Sequence, residues 1–270
     1  MEVVVNRRAR HVVALRGRLG NQLFQVAFAR WLRERTGLEV AWDLSCLGGV
    51  EIAGPEPMRQ WIAGQSVAAG RSWPAVGGRF KPLAIAARRI VGPSTVFTDD
   101  TATGIVEEDP DPAWWCGYWQ QERFAAPAKE TFREWFGLDT RPVDSVVRVH
   151  VRRGDFVGLD NALPDGWYRR AVDRAREITG VDRVEFISDD PDWCARVLVP
   201  SVRGAEVAVG GDAVADLTSL ACSAALVASD STYSWWAGFL GPPTVIIAAE
   251  VRNLRDLMKA TNDDRWIPVD

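Results

Sequence analysis

Three polar runs in the second half of the chain carry residue types that can do chemistry, and each follows a stretch of apolar and β-branched residues. The first is His150-Val151-Arg152-Arg153-Gly154-Asp155. Adjacent residues of an extended chain point to opposite sides, so one arginine can face a ligand while the other braces a carboxylate such as Asp155. A guanidinium at such a place suits a diphosphate, which it can grip bidentately. The competing reading is an Arg–Asp pair that stabilises a loop. The second run is Ser188-Asp189-Asp190, ahead of Pro191. Ser188 and Asp189 are placed to accept from a ribose hydroxyl or a base N–H. Asp190 reads better as a helix N-cap with proline at the first helical position. The third run, Ser229-Asp230-Ser231-Thr232-Tyr233-Ser234, precedes Trp235-Trp236. Ser231, Thr232 and Ser234 bring hydroxyls and backbone N–H groups to a helix start, an anion site in waiting. The plainer reading is again a cap, with the tryptophans in the core.

A fourth element lies near the start. Gly17 and Gly20 allow a tight turn at Arg16-Gly17-Arg18-Leu19-Gly20-Asn21, ahead of a helix. No Gly-Lys-Ser/Thr follows, and the glycine spacing is not that of a dinucleotide fingerprint, so phosphate-loop and kinase chemistries are excluded.

These runs need a scaffold that brings strand ends together. Residues 11–15 read as a buried strand. A helix follows with Leu23, Phe24, Ala27, Phe28, Trp31 and Leu32 on one face and Gly37 as its stop, and residues 38–42 form a second strand. The second half predicts strands at 145–150, 184–188, 224–229 and 244–248. Helices are predicted at 165–179, 212–223 and 232–240, the first with Trp167, Tyr168, Ala171, Val172, Ala175 and Ile178 on its buried side. That alternation predicts a Rossmann-like parallel sheet, where ligands bind beyond the carboxyl ends of the strands. Residues 43–110, rich in Gly and Pro, predict short helices and long loops. The whole is expected to be α/β: two Rossmann-like lobes with a cleft between them, divided near Arg141-Pro142 into residues 1–141 and 142–270, the closing tail being free to pack back on the first lobe.

Bulk properties narrow the function. With 270 residues, 47% hydrophobic and 25% charged, the chain has material for a real core. A net charge of -4 argues against a nucleic-acid partner. Cys46, Cys116, Cys194 and Cys222 lie far apart and form no metal-ligand or disulfide pattern. No stretch reads as a signal peptide or a membrane span, which predicts a cytoplasmic protein, with attachment to the inner face of a membrane through its substrate left open.

In order along the chain, residues 18–25 (RLGNQLFQ), 117–124 (GYWQQERF), 150–156 (HVRRGDF), 186–194 (FISDDPDWC), 231–240 (STYSWWAGFL) and 265–270 (RWIPVD) resemble the motifs of glycosyltransferase family 11, the α-1,2-fucosyltransferases. Arg18 stands where the family usually has Gly, Asp230 where many members have Asn, and residues 249–253 lack the usual Pro-containing loop. The resemblance implies a GT-B architecture, GDP-fucose as donor co-substrate, a glycan acceptor such as the 2-OH of a galactose, inversion at the fucose anomeric carbon, and no metal or other cofactor. It points to Arg152 for the β-phosphate, His150 for the nucleotide, and Ser231, Thr232 and Ser234 for phosphate. Arg153, Asp155, Ser188, Asp189, Gly20 and Asn21 complete the expected donor site. Asp160, in the loop after the arginine pair, is the candidate general base, Asp155 being the more structural of the two. The Asp-Pro-Asp triplets at 109–111 and 190–192 read as turn and cap sequences, not as a metal-binding DxD. The alternatives are a transferase of the same fold with another nucleotide sugar or a protein acceptor, and a non-catalytic glycan-binding relative.

Overall fold

The computed structural model describes residues 10–47, 49–67, 96–98, 111–242, 245–249 and 263–269. The chain divides into two compact units, Met1–Ala128 and Lys129–Asp270. The contacts thus place residues 129–141 with the second unit.

The first unit carries strands β1 (Arg10–Ala14), β2 (Glu39–Asp43), β3 (Ser66–Val67), β4 (Val96–Phe97) and β5 (Trp114–Trp115), with helices α1 (Leu19–Thr36) and α2 (Glu56–Ala63). The sheet is parallel throughout, in the order β3-β2-β1-β5-β4. Helix α1 stops where predicted: Gly37 takes a left-handed φ of 68° and donates to the carbonyl of Arg33. Its start differs from expectation. The helix begins at Leu19, so Gly17, at φ 74°, makes the turn and Gly20 lies within the first helical turn. Nor is only one face covered, for Gln22, Gln25, Val26 and Ala29 are buried along with the apolar stripe. The predicted face meets a dense aromatic packing. Phe28 stacks on Trp119 at 4.3 Å between ring centroids, and meets Trp115 and Phe124 edge-on.

The second unit holds α3 (Lys129–Trp135), β6 (Asp144–Val151), α4 (Gly154–Gly158), α5 (Asp165–Thr179), β7 (Val184–Ser188), β8 (Ala205–Val207), α6 (Ala213–Ala221), β9 (Ser223–Ala228), α7 (Thr232–Leu240), β10 (Val245–Ala249) and β11 (Trp266–Val269). All neighbours pair in parallel, in the order β11-β10-β9-β6-β7-β8. Strand order reverses between β9 and β6, the switch point at which such sheets open a crevice.

Two of these strands escaped the sequence pattern. β8 is three half-exposed or exposed residues, too short for a period. β11 contains Pro268, which cannot donate to a ladder, and an edge position tolerates that loss. The closing segment therefore extends the second sheet, and the Trp167 indole donates to the Val269 carbonyl at 2.8 Å. On α5, Trp167, Tyr168, Ala171, Val172 and Ala175 are buried as predicted, while Ile178 is 38% exposed near the helix end. Under α7, Trp235 and Trp236 are wholly buried. Arg133 and Arg265 donate to the carbonyls of Leu240, Gly241 and Pro242, cations set against the negative end of that helix.

The expectations for 68–95 and 99–110, the triplet at 109–111 save Asp111, and the departure at 249–253 save Ala249 lie outside the described residues. All four cysteines are free thiols, three buried and Cys46 half-buried. Among the described residues, no helix is long and apolar enough to cross a membrane, and no three or more His, Cys, Asp or Glu are grouped to hold a metal.

Candidate active site

The sheet order makes β7, β6 and β9 consecutive neighbours, so the three polar runs that follow them leave the same edge of the second unit side by side. The β6 and β7 ends meet as an ionic cluster. Arg152 donates to Asp189 through Nη1 and to Asp155 through Nη2. Asp189 also organises the backbone: its other oxygen accepts from the N–H of Arg153 at 2.8 Å and of Gly154 at 3.3 Å. A Cβ at Gly154 would come within 2.6 Å of the Asp189 carboxylate, which would have to shift.

The two arginines have different surroundings. The Arg153 guanidinium lies over the Trp193 ring, 3.8 Å from its centroid, and donates to Asp190 at 3.3 Å. Asp190 also accepts from the backbone N–H of Trp193 at 3.1 Å, the capping role read from the sequence. Arg152 is tied to side chains at the rim, with Phe156 beneath it, and one of its partners, Asp155, is 55% exposed. Ser188 is used internally: its hydroxyl donates to the Val151 carbonyl and accepts from the Asp190 N–H, both at 2.9 Å, and so ties β7 to β6.

At the β6–β9 switch point the chemistry is of another kind. The Nδ1 of buried His150 lies 2.6 Å from the Ser234 hydroxyl and 3.0 Å from that of Ser229, and the two hydroxyls are 3.1 Å apart. Burial, with Arg152 adding and Asp189 opposing, pushes the His150 pKa down to about 4, so the ring is neutral at physiological pH. Tyr233 places its ring 5.1 Å from the imidazole and donates to the Ala213 carbonyl at 2.6 Å, joining the start of α7 to the start of α6. Ser231 caps α7 by accepting from the Tyr233 N–H at 3.3 Å. Thr232 is the first helical residue and is partly exposed. Ser234 is wholly buried, its hydroxyl engaged with His150 rather than presented outward.

A family model for glycosyl transferase family 11 matches residues 117–268, more than half of the chain and the whole of this cluster. The chain belongs to glycosyl transferase family 11. Within the curated proteins this family member is similar to an alpha-1,2-colitosyltransferase of Escherichia coli, 27% identical over an alignment 145 residues long, with 46% of this chain and 50% of that protein covered. The match thus spans half the length of that relative. Among solved structures it resembles the fucosyltransferase NodZ from Bradyrhizobium, with a TM-score of 0.50 and 17% identity over 88% of this chain and 94% of the other. It also resembles a NodZ alpha-1,6-fucosyltransferase co-crystallised with GDP, with a TM-score of 0.51 and 15% identity over 90% of this chain and 96% of the other. At these identities the likeness is one of fold, and the fold is α/β and GT-B-like with two parallel sheets.

The structure distributes the remaining candidates of this family 11 protein unevenly. Gly20 and Asn21 belong to the first unit. Gly20 is buried in the first turn of α1, and Asn21 accepts from the Gln120 amide at 3.0 Å. Asp160 sits in the exposed turn after α4 with a left-handed φ of 54°. Sequence reasoning missed Ser229 and Trp193. A serine closing an apolar run reads as a turn residue, and a lone tryptophan reads as core; only the partners they meet give them a part in the site.

Proposed function

We propose that the protein is an inverting glycosyltransferase that moves fucose from GDP-fucose to a glycan hydroxyl, the 2-OH of a galactose being the acceptor group. The observation that carries this reading is Arg152, a guanidinium at the carboxyl end of the strand beside the switch point, whose partner Asp155 is exposed enough to give way to a phosphate. Family membership and the likeness to a fold that elsewhere is seen with GDP support it.

On this reading His150, Arg152, Arg153, Asp155, Ser188, Asp189, Ser231, Thr232 and Ser234 make the donor site, some by contact and some by holding the contacting groups. The bond between the fucose anomeric carbon and the diphosphate oxygen breaks as the acceptor oxygen attacks from the opposite face. The sugar becomes oxocarbenium-like, and negative charge grows on GDP. Arg152 and the start of α7 stabilise that charge. Cations and helix N–H groups do here what a metal does in other transferases, so the rate should not change in EDTA. Asp160 is proposed as the base that takes the acceptor proton. Asparagine keeps the left-handed backbone there, so Asp160→Asn removes only the charge; an unchanged rate and pH profile would remove Asp160 from the mechanism.

The deciding experiment is calorimetric titration with GDP and GDP-fucose, with and without EDTA, on the wild type and Arg152→Ala. Metal-independent binding that disappears in the variant is expected. Absence of binding in the wild type would reject the donor reading in favour of a non-catalytic relative. One observation favours a second reading, a different deoxy-sugar on the same nucleotide: the similar E. coli protein is named for colitose. Product analysis with fucose and colitose, each linked to GDP, separates the two.

A further inference from the structure

The buried triangle of His150, Ser229 and Ser234 has a proton count that favours one ring form. Its members contribute two hydroxyl protons and, at Nδ1, either a proton or a lone pair. Among the described residues neither hydroxyl has a partner outside the triangle. With Nδ1 bare, Ser234 donates to Nδ1 and Ser229 donates to the Ser234 oxygen, and every proton has an acceptor. With Nδ1 protonated, the ring donates to Ser234 and Ser234 donates to Ser229, and the Ser229 proton is left with none. Buried hydroxyls are rarely left unpaired, because each orphaned group costs about 1–3 kcal/mol. The 2.6 Å separation also suits a hydroxyl donating to a ring nitrogen.

We infer that Ser229 and Ser234 are positioning residues that lock the His150 ring in its Nε2–H form, so that the end of β6 offers a bound nucleotide a hydrogen-bond donor and not an acceptor. This rests on the reading of the site as a nucleotide-sugar site. It adds Ser229 and assigns Ser234 a role through His150. The groups around the ring are Arg152 just beyond the same strand end, Asp189 after β7 and Tyr233 on α7. Arg152 opposes protonation, Asp189 favours it, and burial outweighs both. The donor is therefore uncharged and persists across neutral pH. Such a group can bond to a phosphate or carbonyl oxygen while Arg152 supplies the charge.

The chain has only two histidines, so the test is direct. Nitrogen NMR of the imidazoles, assigned with a His11→Asn variant, identifies which ring nitrogen carries the proton. Wild-type His150 is expected as the Nε2–H form throughout the neutral range. Either hydroxyl can reach Nδ1, so Ser229→Ala and Ser234→Ala are each expected to keep that form. The double variant removes both donors. It is expected to show both neutral ring forms and to bind GDP more weakly by the reciprocal of the fraction left in the Nε2–H form, about twofold at equal populations. An Nδ1–H or a charged His150 in the wild type overturns the inference, as does a double variant that retains a single Nε2–H form. Should the double variant not fold, the wild-type ring form and the single variants decide. A correct ring form without GDP binding would instead reject the nucleotide reading and leave the lock in place.

Discussion

Two strand ends of this protein carry polar motifs ahead of a helix, and they use them in opposite ways. After β1, the motif glutamines are buried and spend their amides on backbone. Gln22 donates to the carbonyls of Gly17 and Glu51 and accepts from the Ala53 N–H, while Gln25 accepts from the Arg16 N–H and donates to the Gly117 carbonyl. They staple three loops of the first unit. After β6, the polar atoms meet other side chains: Arg152 meets two carboxylates and His150 meets two hydroxyls. Backbone partners cannot leave, so they mark a scaffold. An exposed side-chain partner such as Asp155 can exchange with a ligand, whereas the buried serines hold His150 in place. Motif matching alone gives both segments equal weight.

The contrast can be broken most forcefully at Arg152. Arg152→Ala should lower transfer by about 10²–10³-fold, the usual cost of losing one preorganised charge-stabilising group, with melting temperature nearly unchanged. A loss of fold with activity intact in the surviving protein would place Arg152 with the scaffold. Gln22→Ala should do the reverse. It strips partners from two carbonyls and one N–H, so denaturant unfolding should report a loss of about 2–4 kcal/mol, while the folded fraction keeps its GDP affinity. An affinity loss without destabilisation would move the first-unit motif into the site.

A finer test is Gly154→Ala. The added Cβ must displace the Asp189 carboxylate, which holds both the turn and Arg152. GDP affinity should drop several-fold with little change in stability, and wild-type affinity would show that Asp189 need not stay where it is. The smallest effect concerns the two histidines, one in each unit. Burial lowers both His11 and His150 to about 4, whereas an unfolded chain takes up those protons near pH 6.5. The unfolded state therefore binds more protons between these values, and stability should fall as pH drops from 6.5 towards 5, with no contribution from these groups above about pH 7. Thermal melts across that range should show the slope. His150→Asn should reduce it, and an unaltered slope would mean that the ring is not held neutral.

Much of the architecture was legible because parallel α/β units announce themselves. Their buried strands are continuous apolar runs and their helices have a face to bury, so β7 and α7 match their predicted bounds and β6, β9 and β10 do so within a residue or two. The failures have local causes. β8 is too short to carry a period. β11 is disguised by a proline that an edge forgives. The second buried face of α1 carries Gln22 and Gln25, whose backbone partners at Glu51 and Gly117 lie 29 and 92 positions further on, which no window over the helix includes.

The sequence by itself determined where the polar groups lie along the chain: at strand ends, next to helix starts, in types suited to anions. Periodicity and turn chemistry are local, and they act over a few residues. It did not determine the partners of the two adjacent arginines, since those depend on Trp193 and Asp190 lying against one and on Asp155 and Asp189 lying against the other. Nor did it reveal that Ser234 serves His150 and that Ser229 joins it. Those pairings span 79 and 84 residues, and only the adjacency of β6 and β9 in the sheet brings them within hydrogen-bonding distance.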